Sequence, residues 1–93
     1  MALLTPEQIQ EGLVRLDGWS QTGEAIEKTY LFHDFIRGLG FVNSVAAAAE
    51  AAQHHPDILI KYNQVTMTLS THSEGGLTSK DFSLAEQIEA LNL

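Results

Sequence analysis

The sequence predicts an α+β domain of order αββαββα, a four-stranded antiparallel sheet with helices packed on one face. Three observations carry this reading. Two pairs of strand-like segments flank a long helical stretch at 34 to about 54, and a capping box opens a helix near each end of the chain. Strands joined by tight turns pair antiparallel, and helices set around two such hairpins have a sheet face to cover.

The elements follow in order. Thr5-Pro6-Glu7-Gln8 starts the first helix, with Thr5 as cap, Pro6 at the first helical position and Gln8 closing the box. Ile9, Leu13 and Leu16 recur at helical spacing, and Gly18 can end the turn. Between Trp19 and Phe32, Gln21-Thr22-Gly23 divide two strand-like runs, the second from Ala25 to Phe32. In the long helix, Phe35, Leu39, Val42, Ala46, Ala49 and Gln53 form one stripe. Gly38 and Gly40 each weaken that helix by roughly 1 kcal/mol relative to alanine, which implies a packing reason for them. The alanine run at 46 to 49 leaves a smooth surface for close approach. After Pro56, Ile58, Ile60 and Tyr62 alternate up to a turn at Asn63-Gln64. Val65, Met67 and Leu69 then alternate with Thr66, Thr68, Ser70 and His72 on the opposite face. Glu74-Gly75-Gly76 is a loop, and Thr78 with Asp81 opens a last helix carrying Leu84, Ile88 and Leu91.

Composition bounds the function classes. The 93 residues read as one domain, 1–93, with a hydrophobic fraction of 44% that is ordinary for a globular chain. A chain this short buries a thin core, so it leans on short loops or on self-association. With no cysteine there are no disulfides or thiolate metal sites, which is compatible with a reducing compartment. A net charge of −7 argues against direct nucleic-acid binding. The stretch MALLTPEQ lacks a basic region followed by an apolar run, so no secretory signal is expected. No apolar stretch reaches membrane-spanning length, and a cytoplasmic location is expected.

The segment EAAQHHPDI, residues 50 to 58, carries the chemistry. Glu50 and His54 are four apart, so on a continuous helix the carboxylate can hold one imidazole nitrogen and fix its tautomer. Pro56 disfavours a helical conformation at His55, which places that ring just outside the helix. Two rings leaving the backbone from different local geometries can then converge on one pocket. Taken singly, each residue has an ordinary structural reading. Two histidines before a proline are usually solvated, as is His72 at a strand end. His33 is a helix start, Asp81 a helix cap, Thr71 a strand-end residue, and Tyr62 and Trp19 core or rim aromatics. The combination raises the odds of a site.

Glu50-x3-His54-His55-Pro56, then Tyr62, His72 and Asp81, resembles the signature of the pterin-4a-carbinolamine dehydratases. The flanks agree: LDGW at 16 to 19, FHDF at 32 to 35, FVNSVA at 41 to 46, YNQV at 62 to 65 and THSEGGLTSKD at 71 to 81. The likeness runs from about Thr5 to Leu91. Ile58 departs from it, standing where an aromatic is frequent, and Gly38 and Gly40 thin the central helix.

The resemblance implies dehydration of a 4a-hydroxytetrahydropterin to a quinonoid dihydropterin, with no cofactor and no metal. It implies His54, His55 and His72 as the catalytic set, the first two as acid and His72 as base. Glu50 would orient His54, and Asp81 would anchor the loop carrying His72 or touch the pocket. His54, His55, Pro56 and His72 would contact the substrate. It further implies a homodimer or homotetramer and a functional link to an aromatic amino acid hydroxylase. Two other classes compete: a zinc or other divalent site built from the histidines and Glu50, and a dimerisation cofactor or binding module on the same fold.

Overall fold

The computed structural model describes residues 2–92. Helix α1 (Pro6–Val14) leads to strands β1 (Ser20–Thr22) and β2 (Ala25–Leu31), then to helix α2 (Phe35–Ala52). Strands β3 (Asp57–Lys61) and β4 (Gln64–Leu69) follow, then a single 3₁₀ turn (His72–Glu74) and helix α3 (Ser79–Leu91). The sheet is antiparallel throughout, in the order β1-β2-β4-β3. β4 therefore returns between β2 and β3, and both of its edges are paired. The expected αββαββα α+β architecture is the observed one.

Both capping boxes form as the sequence predicts. Thr5 Oγ1 accepts from Gln8 N and Gln8 Oε1 accepts from Thr5 N; Asp81 and Thr78 close the second box. The alternation in β4 is also realised. Val65, Met67 and Leu69 are fully buried and lie opposite Tyr30, Lys28 and Ile26 of β2 on the face the helices cover. Leu84, Ala85 and Ile88 of α3 close that core, whereas Leu91 is exposed.

The buried face of α2 differs from the predicted stripe. Gly38, Phe41, Val45 and Ala49 face inward, while Phe35 is 47% exposed and Ala46 is exposed. The N-terminal half of α2 is apolar nearly all round, so side-chain bulk gives no direction there. Backbone approach decides instead: a Cβ on Gly38 would lie 3.4 Å from Val65 Cγ2 and 3.7 Å from the Phe32 ring. The helix sits on β4 at its glycine, and Phe41 packs beside it against Tyr30 and Phe32, with ring centroids 4.8 and 5.0 Å away. Gly40 has no such reason within the chain, because a Cβ there meets nothing within 4 Å.

Both hairpin turns are displaced by about one residue from their predicted places. Gln21 and Thr22 pair with Ile26 and Ala25, and Gly23 takes the turn at φ +59°. In the second hairpin Tyr62-Asn63 form the turn, with Tyr62 at φ +51°, because Gln64 already pairs with Leu31. Asn63 is fastened to the end of β2: its Nδ2 donates to Phe32 O (2.9 Å) and its carbonyl accepts from Phe32 N (2.8 Å).

Candidate active site

The histidine segment begins where α2 stops. Gln53 adopts the left-handed conformation (φ 53°, ψ 40°), and His54 N donates back to Ala49 O. That left-handed cap ends the helix at Ala52, about two residues earlier than the sequence implies, so both histidines lie outside it. The four-residue spacing of Glu50 and His54 therefore no longer places them side by side. Glu50 Oε1 lies 2.8 Å from Nε2 of His55, and both side chains are largely exposed. The expected pairing of Glu50 with His54 is thus replaced by a pairing with His55.

His54 turns inward instead. Its Nε2 lies 2.6 Å from Oδ1 of Asp81, whose side chain is wholly buried. The other carboxylate oxygen of Asp81 accepts from Thr71 Oγ1 (2.8 Å) and from Thr78 N (2.9 Å). Thr78 Oγ1 lies 2.8 Å from Thr71 Oγ1 and also accepts from Lys80 N. Because Thr71 gives its proton to Asp81, the Thr78 hydroxyl donates to Thr71 and the chain is satisfied in one direction. A buried carboxylate needs such partners, since desolvation of the charge is costly without them. Asp81 is therefore helix cap, anchor of the Thr71 segment and partner of His54 at once.

His72 is not on a strand face as predicted. β4 ends at Leu69, Thr71 bridges to Gly76, and His72 starts the 3₁₀ turn inside the small loop they close. Its side chain is exposed, and it lines one cleft with His54 and His55. That cleft, of about 260 Å³, is completed by Gln53, Ser70, Thr71, Ser73 and Lys80. The structure thus brings all three histidines together. Glu50 and Asp81 do not line the cleft but each contacts one of its rings, and neither Pro56 nor Ile58 lines it. Among the described residues, no group of three or more His, Asp or Glu side chains is arranged to hold a metal ion.

Three parts of the site carry weaker signals in the sequence. Thr71 and Thr78 read as strand end and cap, although both belong to the Asp81 network. Lys80 carries no reading of its own in the sequence, although it lines the cleft.

Comparison with known proteins places this geometry. Residues 2–91 match the family model described as pterin 4 alpha carbinolamine dehydratase. The chain belongs to that family. A protein of Acidobacterium capsulatum, provisionally named pterin-4-alpha-carbinolamine dehydratase, is 52% identical over 98% of this chain and 99% of its own length. A Sulfurisphaera tokodaii protein with the same provisional name is 46% identical over 98% of each. Among solved structures, a transcriptional coactivator/pterin dehydratase from Brucella melitensis superimposes with a TM-score of 0.93 at 39% identity, covering 97% of this chain and 98% of its own. A pterin dehydratase-like RuBisCO assembly factor of the α-carboxysome shares the fold at 22% identity, with a TM-score of 0.65 over 78% of this chain and 84% of its own. The family supports pterin-4a-carbinolamine dehydratase activity as the general function. No helix among the described residues is long and apolar enough to cross a membrane.

Proposed function

We propose that the chain converts a 4a-hydroxytetrahydropterin to a quinonoid dihydropterin and water by histidine acid–base catalysis. The observation that carries this is the meeting of three imidazoles in one cleft, two of them held by carboxylates. In the reaction the C4a–O bond breaks as a proton reaches the hydroxyl. The N5 lone pair forms the new C4a=N5 double bond, and N5 then loses its proton. Water leaves and no electron is gained or lost, so no cofactor or metal enters the balance. Positioned acid and base are worth roughly 10²–10⁴-fold in such a step.

The His54–His55 pair supplies the acid and His72 the base. His54 is fixed at depth and His55 is held near the surface, which suits approach to the hydroxyl from two directions and hence to its two stereoisomers. His72 on its exposed turn stands apart from both carboxylate pairs and accepts the N5 proton. The substrate comes from a pterin-dependent oxygenation, such as that of an aromatic amino acid hydroxylase, and recycling in the cytoplasm follows. At least a homodimer is part of this reading, given exposed Phe35 and Ile36 on α2 and the unpaired outer edge of β3.

Stopped-flow dehydration of freshly generated 4a-hydroxytetrahydropterin tests the proposal, with and without a strong chelator. Chelator-insensitive activity is expected, and His72→Ala should lower kcat at least about tenfold for either stereoisomer. Loss of activity on chelation with recovery on adding zinc would overturn the acid–base reading. The coactivator role named for the Brucella melitensis relative favours a second reading, a protein-binding role on the same fold. Sedimentation and a catalytically silent chain would favour that one.

A further inference from the structure

Thr71 makes two sets of contacts that run in different directions. Its backbone closes the turn that carries His72: Thr71 N donates to Gly76 O (2.9 Å), and Thr71 O accepts from Glu74 N (3.0 Å) and Gly75 N (3.1 Å). Its hydroxyl donates to Oδ2 of Asp81 (2.8 Å), and Oδ1 of the same carboxyl group meets Nε2 of His54 at 2.6 Å. With its proton on Asp81, Thr71 Oγ1 is left to accept from the Thr78 hydroxyl at 2.8 Å. One residue, 6% exposed, thus stands between the turn bearing His72 and the ring of His54.

We propose that Thr71 is a positioning residue, which sets the acid His54 against the base His72. The inference rests on the reading of the histidine cleft as the dehydratase site. Dehydration needs a proton delivered at the C4a hydroxyl and one taken from N5, the atom bonded to C4a. The two imidazoles must therefore keep a fixed separation. Asp81 occupies Nε2 of His54, so that ring exchanges protons with the substrate at Nδ1. In the step, His54 gives its Nδ1 proton to the departing oxygen as the C4a–O bond breaks, and it keeps the Nε2 proton on Asp81. His72 takes the N5 proton, so the protein ends with as many protons as it began with. Without the Thr71 hydroxyl, Oδ2 of Asp81 would keep only the Thr78 N–H, and the carboxyl group could turn and carry the imidazole with it. His55 has no such chain behind it, because its partner Glu50 is exposed.

Thr71→Val keeps the shape of the side chain and every backbone bond of the turn, and removes the hydroxyl. By stopped flow, kcat should fall roughly tenfold with KM within about twofold, and Thr71→Ser should restore kcat to within about threefold. Thr66→Val is the control: it removes a hydroxyl pair with Thr29 (2.8 Å) on β4, outside the cleft, and should leave kcat unchanged. A second readout needs no turnover. NMR of histidine-labelled protein should show the Nε2 proton of His54 exchanging with water far more slowly than the exposed ring of His33. Thr71→Val should hasten that exchange and Thr71→Ser should not. A KM that rises in step with the loss of kcat would place Thr71 on the substrate and overturn the positioning role. So would a Thr71→Ser chain as slow as Thr71→Val. Fast exchange of the His54 Nε2 proton in the wild-type chain would overturn it without any variant. A wild-type chain that shows the expected exchange pattern but turns over no substrate would uphold the hold of Thr71 on His54 and remove the dehydratase reading.

Discussion

Asp81 holds Nε2 of His54 with one oxygen, at 2.6 Å, and caps α3 with the other. The end of α2, the exit of β4 and the start of α3 therefore meet on one buried carboxyl group. The side chain that holds the deepest histidine of the cleft is also a part of the fold, so under the proposed acid–base reading activity and stability are joined at Asp81 and separable elsewhere.

The first prediction follows from that junction. Asp81→Asn keeps an oxygen for the cap but replaces the other acceptor with a donor and removes the charge facing His54. Stability should fall by about 2–3 kcal/mol, the range for lost buried hydrogen bonds to a charged group. Activity per folded molecule should fall at least about tenfold. Urea denaturation and single-turnover rates on one preparation measure both, and unchanged stability would contradict the network.

Glu50→Gln should behave differently. Glu50 and His55 are exposed, and an ion pair there contributes little. Glu50 also lies in the last turn of α2, where negative charge opposes the helix dipole. Stability should stay within about 1 kcal/mol of wild type. Activity should fall several-fold because His55 loses the partner that orients it. A lower melting temperature with full activity per folded molecule would make Glu50 structural.

A third prediction concerns acid. Glu89 on α3 receives the Tyr30 hydroxyl and the Lys28 ammonium, and Lys28 Nζ also donates to Asp17 O at 2.7 Å. Burial alone would raise the Glu89 carboxyl. Hydrogen bonds from Tyr30 and Lys28, with the nearby Trp19 indole, outweigh it and hold the carboxyl below its ordinary range. Trp19 Nε1 itself is buried and makes no hydrogen bond of acceptable geometry with the described residues, and its share is smaller than those of the Tyr30 and Lys28 hydrogen bonds. The same contact, after burial, pushes the Tyr30 hydroxyl upward. A depressed carboxyl stabilises the fold above its unfolded value of about 4.3 and loses that contribution as pH falls through the folded value. Chemical denaturation between pH 7 and 3 should show stability declining in the acid limb. Glu89→Gln should be less stable at neutral pH and show a shallower decline, and parallel curves would refute the assignment.

What was legible in the sequence was local. The capping boxes at Thr5 and Thr78 and the alternation of Val65, Met67 and Leu69 depend on neighbours within a few residues, and they form as read. The face of α2 was not legible, because the contact that orients it is made by Gly38, which has no side chain to mark it. The histidine partners changed for a similar reason. A left-handed cap is usually announced by glycine or asparagine, and Gln53 gives no such sign. Once that cap turns the chain, Glu50 meets His55 and His54 is free to reach Asp81. Asp81 was legible as a cap, but a capping carboxyl uses only one oxygen, and the use of the second depends on Thr71 and His54 arriving from elsewhere in the fold.

The last prediction uses the two glycines of α2 against each other. Gly38 sits where a Cβ would touch Val65, whereas a Cβ on Gly40 meets nothing within 4 Å. Gly40→Ala therefore adds helix propensity without a clash and should stabilise the isolated chain by about 0.5–1 kcal/mol. Gly38→Ala gains the same propensity, but the new methyl adds apolar contact at the edge of ordinary van der Waals distance, so larger residues there should force α2 away from β4. Gly38→Val should destabilise by about 1–3 kcal/mol through overpacking. Gly40→Val, facing open space, should cost only the propensity of a β-branched residue relative to alanine and remain near wild type. Thermal melts of the four variants at low concentration, with sedimentation alongside, measure the difference. A destabilised Gly40→Ala chain that also dissociates would mean that Gly40 lies against a second copy rather than solvent.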